Sequence, residues 1–275
     1  MHLMDSFGLS ERRACRLTQV NRSTNRYESR VVDDIDLRDR IKFLAQRHPR
    51  YGCPRIYNRV KRQRPDVNHK KVERIYQEEE LSLRKKRHKK VRSEAREKPE
   101  EPTAPNQQWA MDFMSDKIAG GRKFRTFNVI DVFTREILAI KVSTSIPGSI
   151  VTQVLERIGE RQGLPDLFRC DNGPEFTGMI LDQWCYDHGV QLSFINKGKP
   201  TENCYIESFN GKFRDECLDM NWFVSLDQAE RAIEQWRKEY NEIRPHSSLG
   251  GHSPLEFIQL FKEGRRTAEP LNVGG

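Results

Sequence analysis

The spacing of apolar positions changes character near residue 107. Upstream the period is helical: Leu37, Ile41 and Leu44 recur at i, i+4 and i+7 in DDIDLRDRIKFLAQRHPR, which predicts an amphipathic helix closed by Pro49. RYGCPRIYNRVKRQRP predicts a second helix opening near Pro54, and VNHKKVERIYQEEE a third with Asn68 as its cap. Nearer the start, LSERRACRLTQVNRSTNRYES reads as two short helices about the turn TQVN, with Ser10 as N-cap. From Gln107 the pattern turns to strands. QWAMDFMSDKI, KFRTFNVIDVFT and REILAIKVS are dense in aromatic and β-branched residues and predict a three-stranded antiparallel meander. A helix follows over IVTQVLERIGERQG, then a strand LFRCD, a helix PEFTGMILDQWCYDHG, a strand QLSFIN and a helical region from about Thr201. WFVSLDQAERAIEQWRKEYN is amphipathic, with Ala232, Trp236 and Tyr240 facing inward.

Meander, helix, strand, helix, strand, helix is the order of an α/β ribonuclease H-like fold, a mixed sheet covered by helices. The expected layout is a first helix-turn-helix-like segment over 1–30, a second helix-turn-helix domain with its basic tract over 31–92, and a linker over 93–106. A ribonuclease H-like catalytic domain then fills 107–262 and a tail 263–275. Both N-terminal parts are small and all-α. RKKRHKKVRSEAREKPEEPTAPN separates them from the strands, passing from a basic run to a Pro/Glu-rich stretch without periodicity.

Charge sharpens this division. Residues 1–100 hold 28 Lys and Arg against 15 Asp and Glu, a net +13, while the remainder holds 20 against 25, a net −5. A basic arm that tracks phosphates, joined to a domain that gathers carboxylates, accounts for the asymmetry. Six cysteines at 15, 53, 170, 185, 204 and 217 form no C-x-x-C pair and no zinc-finger spacing, so they read as reduced thiols of a cytoplasmic protein. No apolar run nears the roughly 20 residues that cross a bilayer. MHLMDSFGLSERR has no signal-peptide core, so the expectation is a bacterial cytoplasmic protein that joins the nucleoid when bound to DNA.

Three acids stand out. Asp112 sits between Met111 and Phe113 in a strand built to be buried, where a carboxylate is unfavourable unless paired, neutralised or bound to a cation; the plain alternative is an edge-strand acid facing water. Asp171 closes the strand LFRC at a carboxyl end, where open α/β sheets place ligands, although Asn172-Gly173 is also an ordinary turn signal. Glu207 follows after 35 intervening residues; with Asn210 and Arg214 it makes a polar stripe beside the apolar Ile206, Phe209, Phe213 and Cys217. Glu207 and Arg214 are otherwise surface charges of an amphipathic helix. Carboxylates from a strand, a strand end and a helix can converge on hard divalent cations.

Candidate DNA contacts are Arg22 and Arg26 on the second short helix, and Arg55, Arg59, Arg62, Lys70, Lys71 and Arg74 on exposed helical faces. Arg84, Lys85, Lys86 and Arg87 in the basic tract, Lys197 and Lys199 in the loop NKGKPTEN, and Asn210, Lys212 and Arg214 complete the set. Asp131 fits a strand-end turn acid. His188 and His246 have no partners at metal spacing.

WAMDF, DNGPEF, GKPTENCYIESFNGKFRDECL and YNEIRPHSSLGGHSPLEF together resemble the second-reading-frame product of bacterial insertion sequence 3 family transposases, relatives of the retroviral integrase core. HPRYGCPRIYNRV resembles that family's helix-turn-helix segment, and the likeness spans nearly the whole chain. The resemblance implies that Asp112, Asp171 and Glu207 are the catalytic and metal-binding D, D, E acids, and that Arg214 is the basic residue seven positions after the Glu. It implies two Mg²⁺ per site, with Mn²⁺ as substitute, and cleavage of double-stranded DNA at element ends followed by 3′-OH strand transfer. At least a dimer is expected, as is fusion or association with an upstream helix-turn-helix/leucine-zipper product. The competing readings are a non-catalytic DNA-binding regulator with a dead recombinase fold and a ribonuclease H-type nuclease. An intact set of acids with a basic neighbour argues against the regulator.

Overall fold

The computed structural model describes residues 6–26, 34–83, 101–195 and 204–264. The chain divides into two compact units, Met1–Arg40 and Ile41–Gly275. In the first, α1 (Glu11–Thr18) buries Ala14 and Cys15, and α2 (Arg22–Asn25) is a single turn capped by Asn21, whose Oδ1 accepts from Ser23 N at 3.3 Å. Ser10 occupies the N-cap position of α1 without making a side-chain cap bond.

Helix α3 (Ile35–Arg47) buries Leu37, Ile41 and Leu44, the three positions of its apolar period. In the second unit α4 (Cys53–Gln63) contributes Ile56 and Val60, and α5 (His69–Glu78) contributes Val72, Ile75 and Tyr76. Asn68 caps α5 as its sequence predicts, accepting from Lys70 N at 2.9 Å.

Five strands form one mixed sheet in the order β3-β2-β1-β4-β5: β1 (Gln108–Lys117), β2 (Lys123–Asp131), β3 (Ile137–Ser143), β4 (Leu167–Cys170) and β5 (Gln191–Phe194). The meander β1-β2-β3 is antiparallel, and β4 and β5 add in parallel because helices cross over between them. Side-chain alternation splits β1 between two cores. Trp109 and Met111 face α6 (Gly148–Gln162) and α7 (Met179–His188), packing with Val151, Leu155, Leu181 and Phe168. Ala110 faces the other side, where α8 (Cys204–Phe213) and α9 (Leu226–Glu242) bring Ile206, Phe209, Phe213, Ile233 and Tyr240. Burying each of these large side chains contributes about 1.5–3 kcal/mol, which fixes α8 across the β1 face. On α9 the fully buried positions are Ala229, Ile233 and Tyr240, with Ala232 and Trp236 partly buried beside them. Helix α10 (Pro254–Lys262) opens with a reciprocal Ser253/Glu256 capping box.

Two elements differ from expectation. The helix expected from Pro174 begins at Met179. The Asp171 carboxylate draws in Gly173 N at 2.9 Å, and Phe176 is buried against Phe113 at 5.0 Å between ring centroids, so the chain turns before it coils. Helix α8 does not continue as a regular α-helix: Arg214–Leu218 form a π-helical turn, with Cys217 and Leu218 still buried. Among the described residues no helix is long and apolar enough to cross a membrane. The six cysteines are unbridged, and 15, 170, 185 and 217 are buried.

Candidate active site

Sheet register assembles the site. Asp112 lies opposite Asn128 on β2, and by alternation it shares the face of Ala110 toward α8. On its other side β1 runs parallel to β4 with Ala110 level with Arg169. Two further steps along that register set Asp112 level with Asp171, the first residue past β4, on strands about 4.8 Å apart. Glu207 stands in the first turn of α8, the helix seated on this face.

The Asp112 carboxylate is half-buried, with Oδ1 accepting from Phe113 N at 2.8 Å and Oδ2 from Asn210 Nδ2 at 2.6 Å. Its pKa is pushed up to about 6, first by burial, then by the facing negative charges of Asp171 and Glu207, against the opposing pull of those two hydrogen bonds. Asn210 in turn accepts from Asn128 Nδ2 at 2.9 Å, and Asn128 is wholly buried with its Oδ1 unpartnered. The relay has one sense. An ionised carboxylate only accepts, so Asn210 must present its amide N–H, which leaves its oxygen to Asn128. Asn128 therefore belongs to the site, and an Asn within the apolar stretch FNVID was the signal in the sequence.

The remaining parts of DNGPEF hold Asp171. Asn172 Nδ2 donates to Ile195 O at 2.8 Å, and Glu175 pairs with Arg125, whose guanidinium lies 4.6 Å from the Phe113 ring centroid. A Cβ at Gly173 would come within 2.9 Å of Asp171 Oδ1, so this position admits no side chain without displacing the carboxylate.

Three carboxylates supply oxygen donors alone, the chemistry preferred by hard divalent cations, and their mutual repulsion is what a cation would relieve. They are not a ready-made cage. Among the described residues no three His, Cys, Asp or Glu side chains are grouped to hold one metal ion. Asp112 Oδ2 keeps a lone pair beyond the one engaged by Asn210, so ligation need not break that hydrogen bond.

Candidate DNA contacts fare differently. Arg214 donates Nη2 to Ser115 O at 2.9 Å on the β1 backbone. Lys212 is half-buried, its ammonium pKa moved down to about 8 by burial and by nearby Arg244. Arg22 and Arg26 both pair with Glu11, at 3.0 and 2.5 Å. The expectation of a wholly exposed basic face on α4 is corrected: Arg55 bonds Glu216 at 2.9 Å and Arg62 bonds Glu256 at 2.6 Å, because buried or half-buried carboxylates of the same unit compete for them. Arg59 is half-buried on the same helix, Arg74 pairs with Glu78 within α5, and Lys70 and Lys71 lie in its first turn, Lys70 exposed. Lys197, Lys199, Arg84, Lys85, Lys86 and Arg87 lie outside the described residues. Asp131 is the turn acid expected, buried and accepting from Asn106 N at 2.8 Å and Thr134 N at 2.7 Å.

A mixed sheet of this order, with acids at a parallel strand end and on a covering helix, defines a ribonuclease H-like catalytic core. Integrase core domain families match residues 102–200 and 188–254, and an HTH-like domain family matches 32–90. The chain is 42% identical to the insertion element IS476 uncharacterized 39.2 kDa protein of Xanthomonas euvesicatoria, over 99% of this chain and 79% of the relative. It is also 42% identical to the insertion element IS407 uncharacterized 31.7 kDa protein of Burkholderia multivorans, over 93% and 92%. The putative transposase InsK for insertion sequence element IS150 of Escherichia coli is 24% identical over 88% and 91%. Among solved structures, a chain of the simian T-cell lymphotropic virus intasome in complex with PP2A regulatory subunit B56 gamma superposes with TM-score 0.52 at 14% identity, covering 79% of this chain and 74% of that one. The chain belongs to the insertion sequence 3 family of bacterial transposases, enzymes of the DDE transposase and integrase type.

Proposed function

We propose that this chain cuts and joins double-stranded DNA at the ends of an insertion element, with Asp112, Asp171 and Glu207 as its catalytic acids. The observation that carries the reading is the register that sets Asp112 level with Asp171 beneath the helix bearing Glu207, so that a half-buried strand carboxylate faces two others. Such an arrangement is unfavourable for the fold alone and suited to a site that receives positive charge.

Asp112, Asp171 and Glu207 would hold two Mg²⁺, or Mn²⁺ in their place. Bound there, the ions would supply Lewis-acid stabilisation of charge on the phosphoryl oxygens and a more acidic attacking hydroxyl. The chain's own residues do the rest. Asn210 and Asn128 hold Asp112 Oδ2, Phe113 N fixes Oδ1, and the Gly173 turn fixes Asp171. In the first use of the site water attacks the phosphorus, a P–O bond breaks and a 3′-hydroxyl is released. In the second, that hydroxyl attacks another phosphodiester, exchanging one P–O bond for another. Arg214, Lys197, Lys199 and the basic tract Arg84–Arg87 would neutralise DNA phosphates. Residues 31–92 would serve as the DNA-binding domain and 107–262 as the catalytic domain. Bringing two element ends together requires at least two copies, with an upstream helix-turn-helix/leucine-zipper product as a further partner, in the bacterial cytoplasm.

Incubating the full chain with labelled duplex ends and target DNA in Mg²⁺ tests this directly. Joined products that vanish in Asp112→Asn are the expected result. Nicks without joining would favour a ribonuclease H-type nuclease, and neither product would favour the regulator.

A further inference from the structure

Arginines of residues 47–62 reach across to the C-terminal half of the catalytic core. Arg62 donates to Ile243 O at 3.1 Å and Gly251 O at 3.2 Å, while Arg50 and Arg47 approach Asp215 at 3.6 Å and Glu239 at 3.5 Å. Arg55 makes the deepest contact, donating Nη1 to Glu216 Oε1 at 2.9 Å.

Glu216 is no surface partner. Its side chain is 7% exposed and also receives a two-pronged grip from Arg244, itself 2% exposed, at 2.6 Å to each oxygen. Arg244 lies 5.1 Å from the Tyr240 ring centroid, within the apolar cluster that packs α8 and α9 on the sheet. Those guanidinium partners hold the Glu216 carboxyl below its ordinary range despite burial. A carboxylate so enclosed must keep its cations, since exchanging one for a DNA phosphate leaves a buried charge less compensated.

Position gives the contact its consequence. Glu216 sits at the centre of the π-helical turn Arg214–Leu218 that continues α8, and α8 carries Glu207. A π-helical turn is rare in isolation and persists where its surroundings hold it. Here the holding groups come from α4 on one side and the segment after α9 on the other.

We infer that Arg55 is a positioning residue rather than a DNA ligand: through Glu216 it fixes the helix that presents Glu207. The inference rests on the proposed role of Glu207 for its catalytic consequence, but its structural half stands apart from that role. Arg55→Met in the full chain removes one of three guanidinium bonds to Glu216 and leaves the Arg244 grip, so folding is retained.

Three measurements test it. Amide hydrogen exchange across residues 204–218 should quicken by about threefold or more, reporting local opening of α8 and its π-turn. The slope of log Kd for duplex DNA against log salt should stay as in the unaltered chain, whereas loss of a phosphate contact lowers it by about one. Strand cleavage should show kcat reduced by about tenfold with KM unchanged, and Arg55→Lys, which keeps one charged donor for Oε1, should restore most of it. Unchanged exchange, or a slope lowered by about one whatever the exchange shows, overturns the inference. An unaltered chain that neither nicks nor joins DNA would instead remove the proposed function and leave the exchange comparison to judge Arg55.

Discussion

Asp112→Asn should make the folded chain more stable while ending its chemistry. In the folded chain the carboxyl titrates at about 6 against an ordinary 3.8, so the folded state holds a proton that the unfolded state has released between those values. Stability of the unaltered chain therefore falls as pH rises from about 4 to about 6, and the full penalty applies above that window. The shift corresponds to about 3 kcal/mol, and to about 2 kcal/mol once solvent screening of a half-buried group is allowed for. An Asn in this place carries no charge to desolvate. Its amide N–H would face Asn210, and the relay could reverse: Asn210 turns its oxygen to residue 112 and its N–H to Asn128, whose presently unpartnered Oδ1 then accepts. No hydrogen bond of the relay is lost, so the electrostatic gain survives. Urea unfolding without divalent metal at pH 4, 5, 6, 7 and 8 measures the difference. Expected is a gain of about 2 kcal/mol at pH 7, or a Tm higher by about 4–8 °C, shrinking toward zero at pH 4. A variant no more stable at pH 7, or one whose gain does not vary with pH, would refute the assignment of Asp112 as a strained acid.

Other consequences follow from single contacts. Gly173→Ala places a methyl 2.9 Å from Asp171 Oδ1 and should reduce cleavage by about tenfold or more with DNA affinity unchanged; full cleavage activity would count against the tightness of that turn. Glu216→Gln strands the buried Arg244 and should lower stability by about 3–5 kcal/mol in urea titrations. Because the Glu216 carboxyl is held below 4.5, its contribution is present at neutral pH and disappears on acidification through that lowered value, so the two chains should converge in acid. Asp131→Asn keeps one acceptor for two backbone donors, Asn106 N and Thr134 N, and should cost about 1–3 kcal/mol of stability while the specific activity of folded protein stays the same.

Much of the scaffold was legible because its signals are local. The meander followed from alternating aromatic and β-branched residues, α5 from its Asn68 cap, and the buried stripe of α8 from Ile206, Phe209 and Phe213 at helical spacing. The candidates for chemistry were likewise marked, as acids in unfavourable or ligand-facing places. What stayed hidden depends on partners distant in sequence. Asn210 looks like a DNA contact until the Asp112–Asn128 register puts both ends of the relay beneath α8. Arg55 looks like one more cation of a basic face, and its carboxylate lies 161 residues away. The π-helical turn at Arg214 was invisible because the apolar period runs on to Cys217, and it separates Arg214 from the simple azimuth shared with Glu207 in a straight helix.

Binding of Mn²⁺, followed by electron paramagnetic resonance on the full chain with duplex ends present, tests most directly whether three separated acids act as one site. The unaltered chain should hold Mn²⁺, and Asp112→Asn, Asp171→Asn and Glu207→Gln should each abolish most of that binding. Undiminished Mn²⁺ binding in Glu207→Gln would contradict a shared site and leave the helical acid outside the chemistry.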